Sequence, residues 1–171
     1  MNLHFKADTP KELIFENIAE YLHHQNLKIS KQDSTRPWGG FFVIEEDEAE
    51  KFIELYFPHL TKEALSISGK LSPKILVVAP GKRLSWQYHH RRAEIWKLIG
   101  GVAGIVTSES DEEKETTNLT IGDIIQLKQG ERHRLIGLET WGIVAEIWQH
   151  TNAEDPSDEN DIIRLQDDFG R

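Results

Sequence analysis

A series of short segments rich in branched and aromatic residues runs along residues 66–149, with polar residues and glycines between them. Segments of this kind at regular intervals are typical of β-strands joined by tight turns, whereas βαβ units would place helical patterns between the strands. The series therefore predicts an all-β barrel or a double-sheet jelly roll. The strand candidates of this series are residues 66–71, 74–81, 83–89, 94–101, 103–109, 117–128, 133–139 and 141–149, and residues 41–46 form a further candidate before it.

Two helices are predicted outside this series. Apolar residues at helical spacing over about residues 10–25 follow Thr9, a hydroxyl N-cap, and predict an amphipathic helix. A shorter helix is predicted within an insertion at about residues 47–72. We therefore expect a helical extension over residues 1–35 and a β-domain over residues 36–171, which together form one structural unit.

Composition limits the partners and the compartment. The 171 residues suffice for one domain, and the net charge of −9 argues against nucleic acid, whose phosphates attract clustered cations. The absence of cysteine excludes disulfides and thiolate zinc sites and favours a reducing compartment. Because no stretch approaches about 20 apolar residues, we expect a cytoplasmic protein without a membrane partner.

Three potential metal ligands lie within residues 81–101, which we interpret as one β-hairpin. Gln87 and His89 are two residues apart and share a strand face, and the returning strand can bring Glu94 beside them. An amide oxygen, an imidazole and a carboxylate suit a divalent transition metal better than calcium, whose sites consist of oxygen ligands. The hairpin therefore predicts a metal site that needs a further ligand.

His133 is the natural candidate for the fourth ligand. It follows directly after a predicted turn at residues 129–132, on a strand that can pair beside the hairpin.

Two spacing patterns resemble the motifs of the cupin superfamily. The first pattern, with five, one, four and six residues between its members, contains Gly81, Gln87, His89, Glu94 and Gly101. The second pattern contains Gly122, Lys128, Gly130, His133 and Gly137. Gln87 stands where the usual cupin has its first histidine, and Lys128 and Gly137 stand where proline and asparagine are usual. The resemblance implies a cupin double-stranded β-helix, or jelly roll, with an N-terminal α-helix and a short helical insertion.

A narrower resemblance is to the cupin part of type II mannose-6-phosphate isomerases. Its residues are 36–39, 80–85, 87–90, 92–94, 133–135, 161–164, 167 and 169–171. It implies a metal-dependent enzyme that interconverts mannose 6-phosphate and fructose 6-phosphate through an enediol. In that family the unit often follows a nucleotidyltransferase, which these residues do not contain, so we expect a free-standing isomerase.

The resemblance also implies a cofactor. Gln87, His89, Glu94 and His133 are expected to hold one divalent metal ion and to leave positions for water or sugar oxygens. Zinc is the first expectation, and manganese, iron, cobalt and nickel stay open.

Four basic residues are candidates for binding the phosphate of the substrate, since cationic side chains pair with phosphate oxygens. Arg164 comes first, because the family ending has an arginine at this position, and turnover is expected to need it. Arg36, Lys82 and Arg83 are secondary, and for Lys82 and Arg83 a plain surface charge is the favoured interpretation.

Two residues are candidates for the general base. Glu146 can point into the barrel, where burial near a metal would tune its pKa for proton transfer or make it a partner of a ligand histidine. His90 points away from the metal face if its strand is regular.

Several functions stay open beside the isomerase of mannose 6-phosphate. The substrate can be a heptose or glucose phosphate, or the protein can be a non-catalytic cupin that senses a sugar. A different metal-dependent cupin enzyme such as a dioxygenase is disfavoured by Gln87, because iron oxygenases favour more imidazole ligands. A homodimer through an edge strand or the N-terminal helix is a further expectation.

Overall fold

The computed structural model describes residues 2–65 and 70–171, and it has the predicted all-β architecture with helices at its N-terminal side. In those residues nine strands form one continuous hydrogen-bonded sheet, and the strand pairs are antiparallel. The strand predicted at residues 66–71 lies largely outside the described residues. The elements are α1 (Lys11–His24), β1 (Ile29–Asp33), β2 (Gly39–Ile44), a 3₁₀ turn (Glu46–Glu48), α2 (Ala49–Tyr56), α3 (Lys62–Leu65), β3 (Lys74–Val78), β4 (Trp86–Tyr88), β5 (Arg92–Ser108), β6 (Thr117–Leu119), β7 (Ile124–Leu127), β8 (Arg132–His150) and β9 (Ile163–Gln166).

Strands β5 and β8 are the longest, and they pair with each other along most of their length. Their register shifts between Gly101 and Ala103. Gly101 has a φ of 65°, and a Cβ atom there would lie 1.8 Å from the backbone oxygen of Trp141, so the bend requires glycine. Because the strands continue through this irregular region, each of them joins two segments that the sequence predicts as separate strands.

One face of β3, β5 and β8 packs against the helices, and we call this packing the outer layer. Among its buried residues are Ile14, Phe15, Ile18 and Leu22 of α1, Phe52, Ile53 and Tyr56 of α2, and Phe42, Ile75, Val77, Ile95, Ala145 and Ile147 of the strands. The N-terminal helix is confirmed, but its predicted Thr9 cap is wrong, because Pro10 occupies the N-cap position and no side chain caps the helix. The helices and the strands therefore share one core.

The opposite face of the same strands points into the barrel, and we call it the inner face. Toward one end it is apolar and includes Leu76, Leu98 and Val144. Toward the other end the buried residues Lys74, Glu94 and Glu146 take the equivalent positions, and a cavity of about 440 Å³ opens between them.

The predicted hairpin over residues 81–101 is wrong. Strand β4 pairs with β8 and β9, and it forms no ladder with β5 in the described part of the chain. Between β4 and β5 the chain turns sharply, and the Asp161 carboxylate accepts the backbone N–H groups of His90 and Arg91 at 2.9 Å each. Alternation predicts the two faces of a strand but not its partner, because the partner is set by residues that are distant in sequence.

Strand β9 brings the C-terminal segment to the mouth of the cavity. It pairs with β4, with Arg164 opposite Gln87. The fully buried Arg134 of β8 donates to both the backbone and the side-chain oxygen of Gln166, which fixes β9 against the barrel.

Candidate active site

Three buried side chains from different parts of the chain meet beside the cavity, which one of them, Glu94, lines, and we call them the ligand cluster. His89 follows β4, Glu94 lies on β5 and His133 lies on β8, with exposed fractions of 2%, 3% and 1%. Glu94 Oε1 is 3.1 Å from His133 Nε2 and 3.7 Å from His89 Nε2. Three of the four predicted metal ligands therefore lie within reach of one ion.

The backbone hydrogen bonds at Nδ1 make the Nε2 atom of each histidine an acceptor. His89 Nδ1 lies 2.7 Å from the backbone oxygen of Asp161, and His133 Nδ1 lies 3.0 Å from that of Glu131. A carbonyl oxygen accepts hydrogen bonds and cannot donate them, so each Nδ1 carries the proton in the neutral ring and each Nε2 presents a lone pair. Backbone anchoring of this kind also orients metal-ligating histidines.

The ligand cluster consequently contains acceptors that face one another. His133 Nε2 and Glu94 Oε1 are at ion-pair distance, yet neither has a hydrogen-bond partner among the described residues. Two buried acceptors at 3.1 Å are unfavourable unless a cation or a proton lies between them. Imidazole nitrogens and a carboxylate oxygen are the ligands that zinc and related divalent ions bind, so the residues fit such an ion.

The pKa values favour this donor set. Burial lowers the pKa of His89 to about 4, so that its ring is neutral at pH 7. Burial alone would raise the pKa of Glu94, but His89, the Arg92 guanidinium and His133 together hold it well below its usual value. A neutral His89 ring and an ionised Glu94 carboxylate are protonation states that suit metal binding.

Gln87, the fourth predicted ligand, lines the same cavity and lies opposite His133 in the strand register. Its Oε1 atom accepts a hydrogen bond from Ser85 Oγ at 2.5 Å. Gln87 is thus beside the ligand cluster, and its coordination of an ion stays a prediction.

Arg92 is a site residue that the sequence reasoning missed. Its Nε donates to Glu94 Oε2 at 3.0 Å, one terminal nitrogen lies 3.3 Å from His89 Nε2, and the other donates to Ser157 Oγ at 2.8 Å. The guanidinium lies 3.6 Å from the centre of the Trp148 ring. Its position two residues before Glu94 was a usable signal, because the two side chains share a strand face.

Two of the four predicted phosphate-binding residues line the cavity, and two do not. Arg36 and Arg164 line it, whereas Lys82 is exposed outside it and Arg83 pairs with Asp168 on the surface at 2.7 Å. The sequence candidates Lys82 and Arg83 are therefore not brought to the cavity. The full lining is Arg36, Trp38, Phe41, Lys74, Leu76, Leu84, Gln87, Arg92, Glu94, Trp96, Glu146, Trp148, Glu159, Asn160, Ile162, Arg164 and Arg171.

A group of cationic side chains lies at the mouth of the cavity. Arg36, Arg164 and Arg171 all line it. Burial first and the charge of Arg171 second lower the pKa of Arg164, and the Asp167 carboxylate opposes this shift. Arg36 pairs with Asp33 and Arg171 with Asp167, at 3.1 and 2.8 Å. Guanidinium groups gathered in this way are suited to an anionic ligand such as phosphate.

Glu146 is held in a fixed orientation on the inner face. Its two oxygens accept the indole N–H groups of Trp96 and Trp148 at 2.7 and 2.9 Å. Burial, and next the charge of Glu94, raise the pKa of Glu146 to about 7. A carboxyl group with this pKa at the edge of a cavity can both accept and return a proton near neutral pH.

His90, the other predicted base, is not brought to the cavity. Its side chain is exposed, and its ring packs edge-on against Tyr88 with a centroid distance of 5.4 Å. The sharp turn that carries His89 inward carries His90 outward.

Comparison with protein families gives a match to the model of the mannose-6-phosphate isomerase C-terminal family over residues 45–167. Among curated proteins, the chain is 29% identical over 127 residues to the alginate biosynthesis protein AlgA of Pseudomonas aeruginosa, covering 72% of this chain and 24% of that protein. It is 26% identical over 148 residues to mannose-1-phosphate guanylyltransferase 2 of Escherichia coli O157:H7, covering 86% of this chain and 25% of that protein. The chain thus spans about a quarter of the length of these relatives.

Two solved structures have folds similar to that of this chain. The capsular polysaccharide assembling protein CapF of Staphylococcus aureus has a TM-score of 0.52 and 14% identity, over 82% of this chain and 34% of that one. A recombinant oxalate oxidase in complex with glycolate has a TM-score of 0.51 and 19% identity, over 81% of this chain and 61% of that one. At these identities the likeness supports the cupin fold alone.

A helix that spans a membrane must be both long and strongly apolar. Within residues 2–65 and 70–171, none of the helices meets both requirements.

Proposed function

Because the chain belongs to the mannose-6-phosphate isomerase C-terminal family, we propose that it is a metal-dependent aldose–ketose isomerase of sugar phosphates, with mannose 6-phosphate as the first expected substrate. The reaction moves hydrogen between neighbouring carbons of the open-chain sugar and needs no external oxidant. It requires a base for the carbon-bound proton, stabilisation of charge on the sugar oxygens and a site for the phosphate.

The observation that carries this proposal is the convergence of His89 Nε2, Glu94 Oε1 and His133 Nε2 beside a cavity that Glu94 lines and whose mouth is cationic. A divalent ion bound by these atoms would supply positive charge beside the carbonyl end of the sugar. Zinc is the first ion to test, because two imidazoles and one carboxylate form a common zinc ligand set. Manganese, iron, cobalt and nickel are the alternatives.

Glu146 is the proposed general base. It takes the proton from C2 of the aldose, the electrons of that C–H bond form the C1–C2 double bond, and the carbonyl electrons move to O1. Glu146 then returns the proton to C1, while the proton on O2 passes to O1, and the ketose results. The two indole N–H groups keep the carboxylate from rotating, and a pKa near 7 suits transfer in both directions.

Arg164 is the proposed anchor for the phosphate, with Arg36 and Arg171 beside it. A guanidinium fork can bind two phosphate oxygens, and fixing this end of the substrate holds the carbonyl end in one place. These contacts concern the phosphate and the carbonyl end, which hexose and heptose phosphates share. Glucose and heptose phosphates are therefore the alternative substrates.

A coupled assay that follows fructose 6-phosphate formation from mannose 6-phosphate tests the proposal. We expect turnover that stops when a chelator removes the metal and resumes when zinc or another divalent ion is added. Binding of metal and phosphosugars without turnover of any hexose or heptose phosphate would contradict the isomerase and favour a sugar-sensing cupin.

A further inference from the structure

A lysine side chain is buried on the inner face, where its ammonium group contacts two aromatic rings and one exposed carboxylate. Lys74 lies at the start of β3, and its side chain is 7% exposed. Its ammonium group lies 4.5 Å from the centre of the Trp148 ring and 5.0 Å from that of Phe41, and it lines the cavity. Removing an ammonium group from water is unfavourable, and an apolar residue of similar size would serve the fold equally well.

The ion pair of Lys74 does not explain this burial. In the described part of the chain its carboxylate partner is Glu159, whose side chain is 62% exposed on the segment between β8 and β9. An exposed carboxylate exchanges such a contact for water at little cost. The ammonium group has three donors, so it can turn to a ligand in the cavity.

The strand register places Lys74 beside the proposed base. Lys74 lies opposite Glu146, and Glu146 lies opposite Trp96 on the next strand, so that the three form one row across β3, β8 and β5. Residues opposite one another on neighbouring strands have Cβ atoms about 5 Å apart. Glu94 is on the same face of β5, two residues from Trp96. The Lys74 ammonium group, the proposed base and the Glu94 carboxylate of the ligand cluster thus line one cavity.

We propose that Lys74 is a catalytic residue that donates a hydrogen bond from Nζ to the carbonyl oxygen of the sugar phosphate while Glu146 removes the neighbouring proton. This inference rests on the proposed function. As the C2 proton passes to Glu146, the carbonyl electrons move to O1, and the Lys74 ammonium stabilises the negative charge there without giving up its proton. When the proton returns to C1, O1 becomes a hydroxyl oxygen and the hydrogen bond weakens.

Lys74→Met tests this role, because it keeps much of the side-chain length and removes the charge and the donors. Loss of one donor to a developing oxyanion lowers kcat by about 100-fold to 1,000-fold in other enzymes, and we expect a decrease of this size. The KM for the sugar phosphate and the metal content should stay close to the wild-type values, since neither the phosphate anchor nor the ligand cluster is changed. If Lys74→Met does not fold, Lys74→Gln takes the same test.

A matched control is Lys97→Met on β5, which removes a half-buried lysine that does not line the cavity. This variant should retain wild-type kcat. A further readout is the Lys74→Ala variant, which leaves room for a small amine. Added ethylammonium should restore part of the activity of Lys74→Ala. It should not restore the activity of Lys74→Met, in which the side chain fills the space. A purely structural role of Lys74 would not produce this difference between the two variants.

The outcomes separate this inference from the proposed function. Wild-type turnover together with a Lys74→Met variant whose kcat is within threefold of wild type would overturn the role of Lys74 and leave the isomerase intact. A decrease in kcat that comes with lost metal or with no amine rescue of Lys74→Ala would also overturn it. If the wild-type protein isomerises no sugar phosphate, the proposed function fails first, and the role of Lys74 fails with it.

Discussion

Strands β3, β5 and β8 have an apolar face toward the helices and a face toward the cavity that carries Lys74, Glu94 and Glu146. Both faces are buried, yet their contributions to stability differ. Burying apolar surface stabilises the fold by roughly 25 cal/mol per Å², whereas burying a charge is favourable only when its partners offset the lost hydration. The charged side chains lie on only one of the two buried faces. This placement indicates that the charged face is arranged for a ligand rather than for stability.

The largest expected effect of a single change is on the outer layer. Phe42 is fully buried there and stacks on Phe15 of α1 with a centroid distance of 5.1 Å. Phe42→Ala should lower the free energy of unfolding by about 3–5 kcal/mol, because it removes apolar contacts and leaves a cavity. Denaturant unfolding measures this loss. The metal content of the folded variant should match wild type, and a loss below about 1 kcal/mol would contradict the importance of this layer.

Glu146→Gln tests how much a buried negative charge on the inner face lowers the free energy of unfolding. The pKa of Glu146 is raised from 4.5 to about 7, by burial first and by the charge of Glu94 second. The folded protein therefore holds this proton more tightly than the unfolded chain does. The contribution of this carboxyl group to stability is fully present below about pH 4.5 and is lost as the pH rises through about 7.

Relative to wild type, Glu146→Gln should gain roughly 3 kcal/mol of unfolding free energy across this pH range, since one pKa unit corresponds to about 1.4 kcal/mol. Unfolding curves of the metal-free proteins at several pH values measure the difference. If the unfolding free energies of the two proteins changed with pH in the same way, burial would not raise the pKa of Glu146. The same variant should lose isomerase activity at every pH.

A smaller effect is expected at the mouth of the cavity. Arg164→Ala should weaken sugar phosphate binding by about 10-fold to 50-fold, or roughly 1.4–2.3 kcal/mol, because a charged hydrogen-bonding partner of the phosphate is lost. Calorimetric titration with mannose 6-phosphate measures this change. Arg83→Ala, which removes a surface arginine outside the cavity, should change the affinity less than twofold. Equal effects of the two variants would remove Arg164 from the phosphate site.

The ligand cluster was predictable from residue type and motif spacing, although the hairpin that was expected to join His89 and Glu94 is wrong. His89, Glu94 and His133 were predicted as neighbours, and the structure brings them within reach of one ion. The helix at the N-terminus was predictable from its apolar spacing, and α1 spans Lys11–His24. Local periodicity reports which side chains share a face, and that information is contained in a few consecutive residues.

The features that the sequence did not predict depend on contacts between distant strands. The pairing of β4 with β8 and β9 is of this kind, as is the row that places Lys74 beside Glu146. Lys74 begins an apolar run and looks like a strand end, and nothing in its neighbours indicates that it is buried. Arg171 lines the same cavity as Arg164 because of the fold of the C-terminal segment.

The most direct test of the difference between the two faces is the metal content of the protein purified without an affinity tag. The inner face is expected to bind one divalent ion per chain. Glu94→Gln and His133→Ala should each remove that ion while the protein stays folded, and His90→Ala, at the exposed neighbouring histidine, should retain it. Wild-type protein that binds no zinc, manganese, iron, cobalt or nickel on titration, or a His133→Ala variant with undiminished metal affinity, would contradict the assignment of the ligand cluster.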